Sequence, residues 1–195
     1  AVNYFASVVI KKFHRLYPMV KVKLIDSSAN DILLDVARGD ADFGINFVGS
    51  QDKEIEFTEL VTEHFVAACR RDHPLAREKH VRWSDLEKYD YIAADKGSGN
   101  RLIIDQALAS LDSKPHSIFE TQHGTTMIGL VEAGLGVASV PSMAMPADDH
   151  PLLISVPLID PEVKRVVGLI KRRGRELNPL AQQLMNMFLD HRTIR

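Results

Sequence analysis

The sequence predicts an α/β fold, and three observations carry that prediction. In Val131-Glu-Ala-Gly-Leu-Gly-Val-Ala-Ser-Val-Pro141, an apolar helix face ends, two glycines follow, and a short buried strand is stopped by proline. The same grammar recurs upstream, where an amphipathic run bearing Ile32, Leu33, Val36 and Ala37 reaches Gly39 and then the strand-like Ala41 to Ile45. A helix handed to a buried strand through glycine is a unit of an α/β sheet, not of a bundle or a sandwich. Third, Val20 to Asp26 (VKVKLID) alternates apolar and polar residues, the period of a half-buried strand.

The elements read off in order. An amphipathic helix runs from Val2 to Leu16 with Phe5, Val9, Phe13 and Leu16 on one stripe, and Tyr17-Pro18 ends it. The Val20 to Asp26 strand, the Ile32 helix and the Ala41 strand follow. A long apolar run from Leu60 to Ala68 reads as a strand that His73-Pro74 breaks, and the chain is expected to cross between two lobes there. Trp83 to Leu86 is a helical turn, and Tyr91 to Ala94 a strand. A glycine-rich loop, Asp95 to Asn100, opens into a helix carrying Leu102, Ile103, Ala107, Leu108 and Leu111. His116 to Thr121 is a strand, Thr125 to Ala133 a helix, and Val137 to Val140 a strand. A second crossing is expected between Pro157 and Lys164. Arg165 to Lys171 then returns as a strand, and a helix from Asn178 to His191 presents Leu180, Leu184, Met187 and Phe188.

Bulk properties set bounds. A chain of 195 residues holds one good core or two small lobes. A hydrophobic content of 45%, 26% charged residues and a net charge of −2 are ordinary for a globular protein and point to neither nucleic acid nor an acidic membrane surface. No apolar run approaches the roughly 20 residues of a membrane span. The single cysteine, Cys69, excludes a disulfide within the chain and reads as a small buried apolar residue.

Leu33 through Ile45 matches a Leu-x-x-x-(Leu)-x-x-Gly-x-x-Asp-x-(Ala/Gly)-Ile element in which the bracketed leucine is optional, and Ala133 through Pro141 an Ala-Gly-Leu-Gly-(Ile/Val)-Ala-x-x-Pro element. With His73-Pro-Leu-Ala76 and Asn178-Pro-Leu-Ala181 in their places, the chain resembles the effector-binding domain of LysR-type transcriptional regulators along nearly its whole length. The resemblance implies the type II periplasmic-binding-protein fold: two Rossmann-like lobes with a ligand cleft between them, joined by two crossover segments. Residues 1–72 and 164–195 would form lobe I, and residues 73–163 lobe II. In that family a strand and a loop precede the first helix, and a winged helix-turn-helix domain precedes both. The resemblance therefore implies that the sequence is a piece of a longer protein.

In open α/β sheets, ligands bind beyond the carboxyl ends of strands, beside helix N-termini. Four loops qualify: Ser27, Ser28 and Asn30; Asn46 and Phe47; Lys96, Gly97, Ser98 and Arg101; and Gln122, His123, Thr125 and Thr126. Hydroxyl and amide groups just before a helix, with its unpaired N–H groups, favour an anion. Lys96, Arg101 and His123 add charge, and Gly97 allows close approach to the backbone. Helix capping alone accounts for any single serine or threonine, so the binding reading rests on several converging. Effector contacts in the resembled family fall in these loops. Phe47 stands where some relatives carry a polar group, which hints at an apolar portion in the ligand.

Other chemistry is poorly supported. Gly134-Leu-Gly136 leaves a helix rather than opening one, so it is no dinucleotide fingerprint. Gly97-Ser-Gly99 lacks the spacing of a nucleophile elbow. The 8 histidines show no helical pair at metal-ligand spacing. The basic run Lys171 to Arg175 reads as a solvated turn. The resemblance therefore implies a non-enzymatic, cytoplasmic sensor without cofactor. It would bind a small organic, anionic effector, form a homodimer or homotetramer, and reach DNA only through the absent domain. A periplasmic solute-binding protein of the same fold is the alternative.

Overall fold

A computed structural model of the chain describes residues 3–47, 52–111 and 113–191. The chain divides into two compact units, Glu63–Arg165 and the remainder, Val2–Thr62 with Val166–Arg195. The sequence reading put the passages at residues 72/73 and 163/164. Each passage lies inside a long strand.

In the remainder, α1 (Asn3–Leu16) packs against α5 (Pro179–His191). Val9 and Phe13 are buried there, with Leu184, Met185, Met187 and Phe188, whereas Leu16 stands 58% exposed and Leu180 faces out in part. The expected start at Val2 and the Phe5 side chain lie outside the described residues. α2 (Ala29–Arg38) buries Val36, with Ile32, Leu33 and Ala37 packed around Ile55 and Ile170. Gly39 closes it at φ 86°, donating its N–H to Asp35 and Val36. β1 (Gly44–Asn46) pairs antiparallel with β8 (Lys164–Arg172), so the strand starts three residues later than the expected Ala41.

Val20 to Asp26 does not form a strand. The segment has no regular structure, and none of Lys21 to Asp26 makes a backbone hydrogen bond among the described residues. Alternation specifies which face a strand would bury, but a strand exists only beside a partner for its backbone groups. Its apolar side chains instead line a cavity of about 510 Å³ that also touches Phe13, Ile32, Ile45 and Phe188, and Leu24 is 70% exposed.

In Glu63–Arg165, β2 (Ile55–Arg70) pairs antiparallel with β6 (Val137–Pro141), which runs parallel to β4 (Tyr91–Ala94), itself parallel to β5 (Ser117–Thr121). Phe65, Ala67 and Cys69 enter one core with Trp83, Leu86 and Tyr91. Val66 and Ala68 enter another with Ile92, Met127 and Val131. Helices cover both faces of such a sheet, which is why these strands read as unbroken apolar runs. α3 (Gly99–Ala107) supplies Ile104 to the first core, and α4 (Gly124–Glu132) supplies Met127 and Val131 to the second. α3 ends before Leu111, which still packs on the first core.

The segment expected as the second crossing, Pro157 to Lys164, begins inside β7 (Leu153–Ile159). Pro157 sits where β7 leaves its β2 ladder, opposite Val66, and the next residue, Leu158, pairs with Val81 of β3 (Val81–Arg82). A proline is tolerated where a ladder ends, so its presence did not preclude a strand. The helical turn at Trp83–Lys88 is present, and Trp83 Nε1 donates to the Pro161 carbonyl at 3.0 Å.

Candidate functional site

Register brings the second-lobe loops together. Ala94 pairs with Thr121, and the Asp95 N–H donates to the Thr121 carbonyl, so the loops after β4 and β5 leave the sheet side by side. They lie at the carboxyl ends of two parallel strands, each opening into a helix. After β4, Asp95 accepts the Gly97 N–H at 2.6 Å, and the Ser98 hydroxyl accepts the Asn100 N–H to cap α3. Lys96 and Gly97 are exposed. After β5, Gln122 and His123 are exposed, and His123, at the N-cap of α4, makes no side-chain capping hydrogen bond among the described residues. Thr125 and Thr126 in its first turn are exposed too. The N-terminal N–H groups of this helix keep their partial positive charge uncompensated by any cap.

Arg101 does not offer a free charge. Its guanidinium donates to Asp105 at 2.9 Å, to the Ala94 carbonyl at 3.1 Å and to Glu120 at 3.3 Å. Hydrogen bonds from Ser117 and Arg101 hold the Glu120 carboxyl below its usual range. Arg101 therefore ties α3 to β4 and β5. Among the cations proposed for this loop pair, Lys96 and His123 are exposed.

In the other unit, Ser28 caps α2: its hydroxyl accepts the Asp31 N–H at 3.2 Å and donates to the Asp31 carboxylate at 2.7 Å. Ser27 is half-buried and Asn30 exposed beside it. Asn46 is buried at the end of β1, where its amide donates to the Ala29 carbonyl at 2.7 Å and accepts the Phe47 N–H at 2.8 Å. It fastens β1 to the start of α2, and Phe47, half-buried, follows.

One constellation escaped the sequence reading. Glu63 and Arg165 form an ion pair at 2.6 Å with side chains 2% and 3% exposed. One carboxylate oxygen of Glu63 takes both the Nε and an Nη of Arg165, while the other accepts the Met143 N–H at 3.0 Å. The remaining Arg165 nitrogen donates to Asn100 Oδ1 at 2.6 Å. Burial lowers the pKa of the guanidinium and the Glu63 charge opposes that shift. A pair separated by 102 residues leaves no local signal. Charged residues inside otherwise apolar strands were the only hint.

The basic run near Lys171 is not simply solvated. Lys171 pairs with Glu56 at 3.0 Å, Arg173 donates to the Lys53 and Ile55 carbonyls, and Arg175 donates to the Gly39 and Ala41 carbonyls. These side chains hold the turn to its own unit. Among the described residues, no group of histidine, cysteine or carboxylate side chains has the arrangement of a metal site. No helix among them is long and apolar enough to cross a membrane.

Residues 1–193 match the family model described as the LysR substrate binding domain. The chain belongs to that family. A LysR-type domain of this kind also has close relatives in sequence. It is 41% identical over 194 residues to YbhD, an uncharacterized HTH-type transcriptional regulator of Escherichia coli K12, a match covering 97% of this chain and 61% of that one. It is 31% identical to the HTH-type regulator YfeR of Shigella flexneri, over 93% of this chain and 58% of that one. The chain thus spans about six-tenths of the length of these relatives. In structure it resembles the regulatory domain of Synechocystis CcmR in complex with 2-PG, with a TM-score of 0.84, 18% identity and coverage of 98% and 93%. The effector-binding domain of QuiR in complex with shikimate gives a TM-score of 0.79 at 19% identity, covering 97% and 90%. The fold is therefore that of LysR effector-binding domains, the type II periplasmic-binding-protein class. Relatives that are transcriptional regulators set aside the transporter-linked alternative.

Proposed function

We propose that this domain senses a small organic acid for a LysR-type transcriptional regulator, whose DNA-reading part lies in the portion of the relatives that this chain does not match. The observation that carries the reading is the pairing of two strand-to-helix loops at Ala94 and Thr121, one of which opens into the uncapped N-terminus of α4. An oxyanion placed there would accept N–H groups that no side chain satisfies. Shikimate and 2-PG, carried by the structural neighbours QuiR and CcmR, are suitable first probes. Ligand binding changes DNA recognition only by favouring one arrangement of the regulator over another, so the effector must have different affinity for the two. Assembly as a homodimer or homotetramer and residence in the cytoplasm belong to the same proposal.

Some relatives are hydrogen peroxide-inducible activators, but a thiol sensor is not favoured here. Cys69 is buried, and burial pushes its thiol up to about 11, which removes thiolate character.

The experiment is a thermal-shift screen against small carboxylates, aromatic acids and phosphorylated sugars, with shikimate and 2-PG included. A ligand that binds only the folded chain raises Tm with concentration. A specific hit that is weakened in Thr125→Val supports the proposal. The absence of any hit, or unchanged affinity in that variant, counts against it.

A further inference from the structure

Asn100 stands in the second residue of α3, between the Ser98 cap and Arg101, and its side chain is held from behind by the buried Arg165–Glu63 pair. We propose that Asn100 is an effector-contacting residue, presenting its side-chain NH₂ to a carboxylate oxygen of the ligand while Arg165 fixes its orientation. This rests on the effector-sensing reading above.

Three observations support it. The amide orientation is determined, because Arg165 has only donors, so the oxygen of Asn100 must face it and the nitrogen must face away. That nitrogen has no partner among the described residues, and no buried side-chain nitrogen or oxygen lacks one, so the NH₂ reaches the surface. It does so at the carboxyl end of the sheet: Glu63 precedes Phe65, which pairs with Pro141 at the end of β6, and Met143 just beyond donates to Glu63.

A buried ion pair is weak evidence for stability, since desolvating both charges offsets most of their attraction. Apolar side chains of similar volume would fill the space as well. What they could not do is hold an amide in one orientation. The Arg165 fork spends two donors on Glu63 and keeps a third for Asn100. Because Glu63 neutralises Arg165, the node itself carries no net charge, and the group it offers is a pre-aimed neutral donor. Such a group donates to a ligand oxygen and finds no acceptor on a ligand ammonium.

The test is a ¹H–¹⁵N spectrum of the chain titrated with shikimate, with 2-PG and with a panel of small mono- and dicarboxylates. Asn100→Asp identifies the Asn100 side-chain NH₂ signals by erasing them. The expected result is a saturable shift of those signals together with the Gly124 to Thr126 amides, while the Arg165 Nε–H signal stays in place. In Asn100→Asp, the new carboxylate should weaken binding of the same acid about tenfold or more. If the Gly124 to Thr126 amides shift and Asn100 does not, the assignment of Asn100 is overturned and the effector reading stands. If neither region responds to any acid, both fall. Should Asn100→Asp not fold, through-bond correlation to the Asn100 backbone identifies the wild-type side-chain signals, and their response decides the matter.

Discussion

Gly136 lies against the carbonyl oxygen of Asp90, so close that a Cβ added to it would come within 2.1 Å of that oxygen. Its φ of 142° is one that L side chains rarely adopt, and the next N–H, of Val137, donates to the same oxygen. Gly136→Val should therefore cost about 3 kcal/mol or more, since backbone strain and overpacking act together. Urea unfolding with and without ligand checks this, because a steric requirement is indifferent to ligand. Gly124, with open space around its missing Cβ, is the control: Gly124→Ala should stay within about 0.5 kcal/mol of wild type.

Removing one partner of the Glu63–Arg165 pair leaves the other charge buried. Arg165→Met should destabilise the domain by about 3–5 kcal/mol. The double variant Glu63→Leu/Arg165→Met should recover most of that loss. A double variant as unstable as the single one would mean that the pair is needed for folding itself rather than for holding Asn100.

His73 sets a pH dependence. Its Nδ1 accepts the Leu75 N–H at 3.2 Å, and burial lowers its pKa below 6.5, opposed by the Asp72 charge. The unfolded chain thus binds a proton more readily than the folded one. Stability contributed by neutral His73 is complete above pH 6.5 and is lost as pH falls toward the lower folded pKa. In His73→Asn, which can accept the same N–H without titrating, Tm should change less with pH below 6.5 than in wild type. Identical pH profiles would sink this assignment.

Cys69 should be inert in the folded chain. A thiol raised to about 11 and fully buried reacts only when the strand opens. Labelling by an aromatic disulfide reagent should track global unfolding in urea. Rapid labelling of the native chain would show that β2 opens locally.

Much of the fold was legible because its signals are local. Gly39 and Gly134 both adopt positive φ after a helix, as their positions after apolar stripes imply. The all-apolar runs at Tyr91 and Val137 are strands buried on both faces. The proposed loops at Lys96 and Gln122 do adjoin, because strand-to-helix order alone places them at one end of a parallel sheet.

What pairs with what was not legible. Val20 to Asp26 has the alternation of a strand, yet Lys21 to Asp26 make no backbone hydrogen bond among the described residues. Leu153–Ile159 carries a proline and is a strand nonetheless, because Val66 and Leu158 place that proline at a ladder's end. Arg101 promised a charge for the ligand, yet Asp105 and Glu120 neutralise it. Amino-acid order by itself determined the helices, the strands buried on both faces and the family, since propensity and periodicity act within a few turns of chain. Tertiary structure alone decided which charges remain available and where Asn100 points, since Glu63 and Arg165 meet only when distant strands come together.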